Sequence, residues 1–322
     1  MGPASRLGEL DCPSAAPSPT SPKVSEFIQL VISGVAIGMI YALIAFGYNI
    51  TFSTSRTLNF SQGDFLMLGA FTALSVMTAI SGRKIPSIPV WLLAVIASAA
   101  LGAVLAVILL EVAIRPALKT GSDVSWILAT LALGIIAKNA AERIWGTDEY
   151  PMPSPFGRGY WHVGGVSIDP KEMLIIVAAA GLMIAFEVFR RKSLFGKAVT
   201  AVASDKDAAL MMGINVPIVI MFSFIVSCAI AAMGGVLIGP IQIVSSTMGA
   251  LLGTKAYAVS VIGGLNSGLG VIAGGLILGL SEQLTARYVS TGYKDTPGFI
   301  LLILILLFMP NGLFGKATIK KV

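Results

Sequence analysis

Residues 27–50 read FIQLVISGVAIGMIYALIAFGYNI, an apolar stretch without one charged side chain. A helix needs about 20 such residues to cross the hydrocarbon core of a bilayer. Val90–Leu110, Pro217–Pro240 and Tyr257–Ser281 meet that length equally free of charge. Asp64–Ile80, Val124–Trp145, Glu172–Phe189 and Pro297–Phe314 are shorter or have charged ends, yet each holds an apolar centre that no loop would need. Eight spans result. The seventh run is broken by Gly263-Gly264-Leu265-Asn266-Ser267-Gly268, so a further crossing or re-entrant piece is expected within 243–264. Thr247–Gly264 and Gly268–Glu282 then become separate elements, and the count is nine.

Composition agrees with the span count. Of 322 residues 56% are hydrophobic and 12% charged, with mean hydropathy +0.87, more than a solvated globular surface permits. The chain reads as an all-α polytopic membrane protein of eight or nine transmembrane helices with broken or re-entrant elements. In a soluble protein the +6 net charge would suggest nucleic acid; here the excess sits in short loops and the C-terminal tail, where it sets orientation. Cys12 lies in a polar tail and Cys228 in an apolar run, so neither a disulfide nor a cysteine metal cluster is implied. The single histidine, His162, excludes a His-rich zinc site.

Residues 1–26, rich in Pro, Ser and Ala, lack the apolar core of a signal peptide or span and are predicted to be a disordered tail. A natural start near Val24 is the other reading. Residues 27–315 form the membrane domain and 316–322 a tail expected in the cytoplasm.

Between two apolar runs, residues 190–216 read RRKSLFGKAVTAVASDKDAALMMGINV. Arg190, Arg191, Lys192, Lys197 and Lys206 place this loop in the cytoplasm by the positive-inside rule. Ser204 is predicted to cap a short helix with Asp207 at the third position, Asp205 adds charge to its first turn, and Gly213 ends it. Two turns are marginal alone in water, so the helix should pack on its own bundle or on a soluble partner. Alternation then puts 113–123, with Arg115 and Lys119, inside and 81–89 and 146–171 outside. Nine elements bring Lys316, Lys320 and Lys321 inside and the N-terminus outside; eight would strand that basic tail on the wrong face.

Gly34/Gly38, Gly235/Gly239, Gly270/Gly274 and Gly275/Gly279 are four-residue small pairs that let helix backbones approach closely in lipid. Simple bundle packing explains most of them. Seven glycines between Gly263 and Gly279 point further, to a broken element that protein or a water-filled path must satisfy. Thr54–Asp64, TSRTLNFSQGD, is either an ordinary loop or an unwound segment in which Asn59, Ser61 and Gln62 offer hydrogen bonds along a path.

These motifs, in their order, resemble the permease subunits of the branched-chain amino-acid ABC importers (the Liv type). The marks are Gly38-Met39-Ile40-Tyr41-Ala42-Leu43-Ile44-Ala45, then Leu58-Asn59-Phe60-Ser61-Gln62-Gly63-Asp64 and Asp207-Ala208-Ala209-Leu210-Met211-Met212-Gly213-Ile214. Lys255-Ala256-Tyr257 with Gly263-Gly264 follows, then Gly274-Gly275-Leu276-Ile277-Leu278-Gly279-Leu280-Ser281-Glu282 and Pro310-Asn311-Gly312-Leu313-Phe314-Gly315. The arrangement is closer to the H-type than the M-type permease. One departure stands out. The family's usual Asn-Phe-Ala-His-Gly-Glu is here Asn59-Phe60-Ser61-Gln62-Gly63-Asp64, with a neutral amide in place of the titratable histidine.

The resemblance implies a type II importer fold and a translocation path for branched-chain or other hydrophobic amino acids. It implies a second permease subunit (LivM-like), two cytosolic ATPases that carry ATP and Mg, an extracytoplasmic solute-binding protein, and the bacterial inner membrane. Relatives also carry urea and short amides. Independently, the chain has no Gly-x-x-x-x-Gly-Lys-Ser/Thr phosphate loop, and Gly249 to Lys255 has the wrong spacing, so it reads as a transport subunit without its own ATPase site. An ion-coupled secondary transporter would show carboxylates or histidines at membrane depth, whereas Asp64, Glu111 and Glu187 sit at span ends. A channel lacks a filter motif.

Coupling to the ATPase is assigned to Ser204, Asp205, Asp207, Ala208, Leu210, Met211, Met212, Gly213 and Ile214. The path is assigned to Asn59, Phe60, Ser61, Gln62, Gly63, Lys255, Gly263, Gly264, Asn266 and Gly268. Lys255 also fits a lysine that snorkels to the interface, and Glu282 either marks the membrane surface or meets a partner. Lys138, Glu142 and Arg143 read as an outer-interface anchor. Loop 146–171, aromatic and stiffened by prolines, reads as an interfacial belt or a platform for the binding protein.

Overall fold

A computed structural model of the chain describes residues 22–82, 85–116, 125–157, 159–163, 166–309 and 311–315. Expectations for residues 1–21, for Lys119 and for the tail 316–322 lie outside the described residues.

The charge-free stretch of the opening forms the centre of helix α1 (Pro22–Ser55), which starts five residues earlier than the expected boundary at Phe27. It is followed by α2 (Gln62–Ser81), α3 (Ile88–Ile108), which continues as a π turn (Leu109–Ile114), and α4 (Ser125–Trp145). A two-stranded hairpin, β1 (Trp161–Val163) and β2 (Val166–Ile168), precedes α5 (Pro170–Lys192). Two short helices, α6 (Leu194–Ser204) and α7 (Lys206–Met211), lead into α8 (Val216–Ile238), α9 (Met248–Gly263), α10 (Gly268–Tyr288) and α11 (Thr296–Phe308). Among the described residues seven helical segments are long and apolar enough to cross a membrane. The chain is an all-α polytopic membrane protein. Two further elements join the bundle: α4, with Lys138, Glu142 and Arg143, and α9, at 16 residues too short to cross unaided.

Helix α1 is the hub, and from Ala36 to Phe46 it is buried almost continuously. Glycines set its closest crossing. A Cβ on Gly38 would stand 2.6 Å from the carbonyl oxygen of Gly275, and one on Gly275 2.5 Å from that of Gly38. Gly34 meets Gly279 in the same way, so α1 and α10 are antiparallel and backbone touches backbone, the source of attraction left to helices in lipid. Gly298 of α11 meets Leu278, and Gly312 meets Gly264, so α11 runs back antiparallel to α10. The N-terminus of α1 and residues 311–315 therefore lie at opposite ends of the bundle, as nine elements require and eight do not.

The break between α9 and α10 is filled by protein. Gly264 takes φ +97°. The amides of Leu313 and Phe314 donate to the carbonyls of Ile262 and Gly263 at 2.8 and 3.2 Å, which satisfies carbonyls that a helix end leaves open. The Asn-Gly-Leu-Phe-Gly run near the chain's end thus closes a helix fifty residues upstream.

Candidate functional site

The segment joining α1 to α2 is unwound and, apart from Arg56 and Phe60, buried. Gln62 donates through Nε2 to the carbonyl and hydroxyl oxygens of Ser227, both at 3.0 Å, and Ser227 donates to the carbonyl of Gly47 at 2.8 Å. Asn59 donates to Gln62 Oε1 at 3.3 Å, and the Ser61 hydroxyl donates to the carbonyl of Thr130. Gly63 seats against Gly249 and Gly253 of α9. Of the five residues assigned here to a path, Asn59, Ser61, Gln62 and Gly63 stitch α1, α2, α4, α8 and α9 together. Phe60 alone faces a cavity.

That cavity, of about 270 Å³, is bounded by Tyr48, Phe60, α2, α4 and α9. Phe60 packs on Tyr257 with ring centroids 5.6 Å apart and stacks on Trp126 at 6.2 Å. Leu131 and Ile135 add apolar surface, and Asp64, Lys138 and Thr254 are the polar side chains beside them. By sequence Asp64 belongs to a span end and Lys138 to the outer interface; the structure brings both to one cavity. The signal was present in Asp64 itself, an ionisable group directly after the polar break.

A second cavity, of about 360 Å³, lies where α1 ends beside α5, α6 and the turn before α10. Asn266 and Gly268 line it with Asn49, Arg56 and Arg190. Gly263 and Gly264 stay behind, covered by residues 311–315.

Lys255 faces neither cavity. Its ammonium lies 2.8 Å from Glu282 Oε1 and 2.6 Å from Asp295 Oδ1, and donates to the Tyr41 hydroxyl at 3.2 Å. Tyr41 in turn donates to Glu282 Oε2 at 2.8 Å. Glu282 is 0% exposed, so neither a snorkelling lysine nor a surface-marking glutamate describes this cluster. It ties α1, α9, α10 and the start of α11 together. A desolvated charge survives at such depth only when paired, and partners 27 and 40 residues away in sequence are invisible to local pattern.

The loop expected to dock a partner forms α6 and α7. Its cap is displaced by one residue from the expected one: Asp205, not Ser204, accepts the amides of Asp207 and Ala208 at 3.0 and 3.1 Å. Ser204 ends α6, with its hydroxyl on the Thr200 carbonyl at 3.0 Å. Asp205 wins because it has the extended backbone of a cap (φ −155°, ψ 117°) and α6 fills the chain up to Ser204. Gly213 closes the helix at φ +81°, as expected, and Ile214 is half-buried beneath it. Ala209 is buried against the bundle, whereas Leu210, Met211 and Met212 are exposed, the two methionines at 83%. Lys206 donates to the carbonyl of Ser55 at 2.9 Å, which fastens α7 to the end of α1. Burial, and then the nearby charge of Arg56, hold its pKa below the usual lysine value.

A family model described as the branched-chain amino acid transport system permease component matches residues 30–309, from the first turns of α1 to just past α11. The chain belongs to that family. It is 33% identical, over 92% of its length and 98% of the relative's, to the high-affinity branched-chain amino acid transport system permease protein LivH of Salmonella typhimurium. The permease protein BraD of Pseudomonas aeruginosa is 31% identical over 94% of this chain and all of its own length. A probable LivH of Methanocaldococcus jannaschii is 25% identical over 89% of this chain and 92% of its own. No solved structure matches the chain. In this member of the family a polar break satisfied by protein lies beside a cavity, and a short helix exposes apolar side chains near the end of α1.

Proposed function

We propose that this chain is the membrane-spanning permease subunit of an ATP-binding cassette importer for branched-chain or other hydrophobic amino acids, housed in a bacterial inner membrane. The observation that carries the reading is α7. A six-residue helix with a strong cap presents Leu210, Met211 and Met212 to solvent while Ala209 and Lys206 fix it to the bundle. Exposed methionines on a rigid, anchored helix suit an adaptable protein contact. Nucleotide-driven closure of a cytosolic ATPase on that helix would reach the end of α1 through Lys206 and Ser55. On this reading α6, α7 and residues 311–315 face the cytoplasm, and the N-terminus of α1 faces out. A second permease subunit completes the pore, two ATPases supply ATP and Mg chemistry, and an extracytoplasmic binding protein delivers substrate. Copurification from membranes tests it. ATPase subunits in stoichiometric amount, with ATP-dependent leucine uptake by the reconstituted assembly, are expected; a chain that moves amino acids without them would overturn the reading.

A further inference from the structure

The cavity at the α1–α2 break carries one acid and one base on mostly apolar walls, with Thr254 as a further polar side chain. Asp64 stands in the first turn of α2, and α4 lays Gly134 against it so closely that a Cβ there would overlap the carboxylate. Lys138 stands one turn further along α4, about 6 Å along the axis. Both line the same cavity. Glu142 lies 3.7 Å from the Lys138 ammonium, beyond good hydrogen-bond length, and already accepts the Ser246 hydroxyl at 2.9 Å. Lys138 thus keeps donors to spare. Around the pair, Phe60, Tyr257, Leu131 and Ile135 offer aromatic and aliphatic surface. Ionisable groups at membrane depth that face a cavity mark the route of a polar cargo.

We propose that Asp64 and Lys138 are the two anchors of a transit subsite for a zwitterionic amino acid. Asp64 receives the ammonium, Lys138 the carboxylate, and the aromatic and aliphatic wall the side chain. A substrate with only one charge, or none, leaves an anchor unpaired in a largely apolar cavity. The subsite selects against it. Close packing of Gly134 on Asp64 fixes one anchor, and the long stem of Lys138 lets the other follow the cargo. The inference rests on the transport reading above.

The test uses the whole assembly, with second permease, ATPases and binding protein, in proteoliposomes that report leucine uptake. Asp64→Asn and Lys138→Gln are each expected to lower uptake about tenfold, the size of one lost charge-assisted hydrogen bond, while the ATPases still copurify. Asp64→Glu and Lys138→Arg should keep most of it. A second readout follows the cavity itself. In a Cys12→Ser chain bearing Thr254→Cys, leucine turnover should slow labelling by an aqueous thiol reagent, and added Asp64→Asn or Lys138→Gln should abolish that protection. Should Asp64→Asn fail to assemble, Lys138→Gln, on a half-exposed side chain, makes the same comparison. A wild-type assembly that moves urea but no leucine overturns the transport reading itself. Wild-type uptake of leucine with unimpaired Asp64→Asn and Lys138→Gln, or equal protection in all three, overturns the subsite alone.

Discussion

Lys255 shows how a single residue changes meaning when its partners come into view. It bonds Glu282, Asp295 and Tyr41 from three other elements, and Glu282 has no solvent to turn to. Lys255→Met strands a buried carboxylate and should cost about 3–5 kcal/mol, read as a lowered midpoint of thermal unfolding in detergent. Lys255→Met with Glu282→Leu removes both charges and should recover most of that loss, since an apolar pair of similar volume needs no counter-ion. If the double variant is no more stable than the single one, the cluster does not act as one electrostatic unit. Asp295, half-exposed at the head of α11, can be solvated alone, so Asp295→Asn should be much the mildest of the set.

Helix α7 separates two kinds of apolar residue that the sequence runs together. Ala209 faces the bundle, and Ala208, Leu210, Met211 and Met212 face away from it. Ala208→Arg and Met212→Arg should therefore leave the chain folded yet place a charge in the proposed ATPase contact, with ATPase copurification and uptake both reduced. Ala209→Arg should instead damage the fold, seen as loss of monodisperse protein. Normal association and uptake in both exposed variants would remove α7 from the coupling role. The α1–α10 crossing makes the opposite demand, for absence of a side chain. Gly38→Val must push backbone from backbone, an overpacking cost of about 1–3 kcal/mol or more, whereas Gly181→Val, with open space around it, should be silent in the same unfolding assay.

At the scale of the whole molecule, nine bundle elements put the two described ends of the chain on opposite faces. In a Cys12→Ser chain, Met211→Cys should label from the cytoplasm only and Tyr160→Cys from outside only; labelling of both from one face would overturn the alternation. Composition and span length were enough to establish the membrane class, because the bilayer imposes one length and one polarity on every crossing helix. The break at 263–268 and the small pairs were legible for the same local reason: glycine and polar residues interrupt an apolar run wherever they fall. The cap at Asp205 was missed by one residue because Ser204 and Asp205 are both competent caps, and the choice fell to how far α6 extended. Asn59 and Gln62 stand out in the sequence as hydrogen-bonding groups in a polar break, assigned there to a path. That their side chains reach Ser227 and one another depended on the approach of α8. The cavity pair Asp64 and Lys138 and the buried Lys255–Glu282 contact lie beyond any local pattern. Sequence determined each element's length, polarity and points of weakness, since those follow from neighbours along the chain. Only the tertiary structure decided which charge met which, because pairing in a dry interior depends on helices from distant parts of the chain crossing at one point.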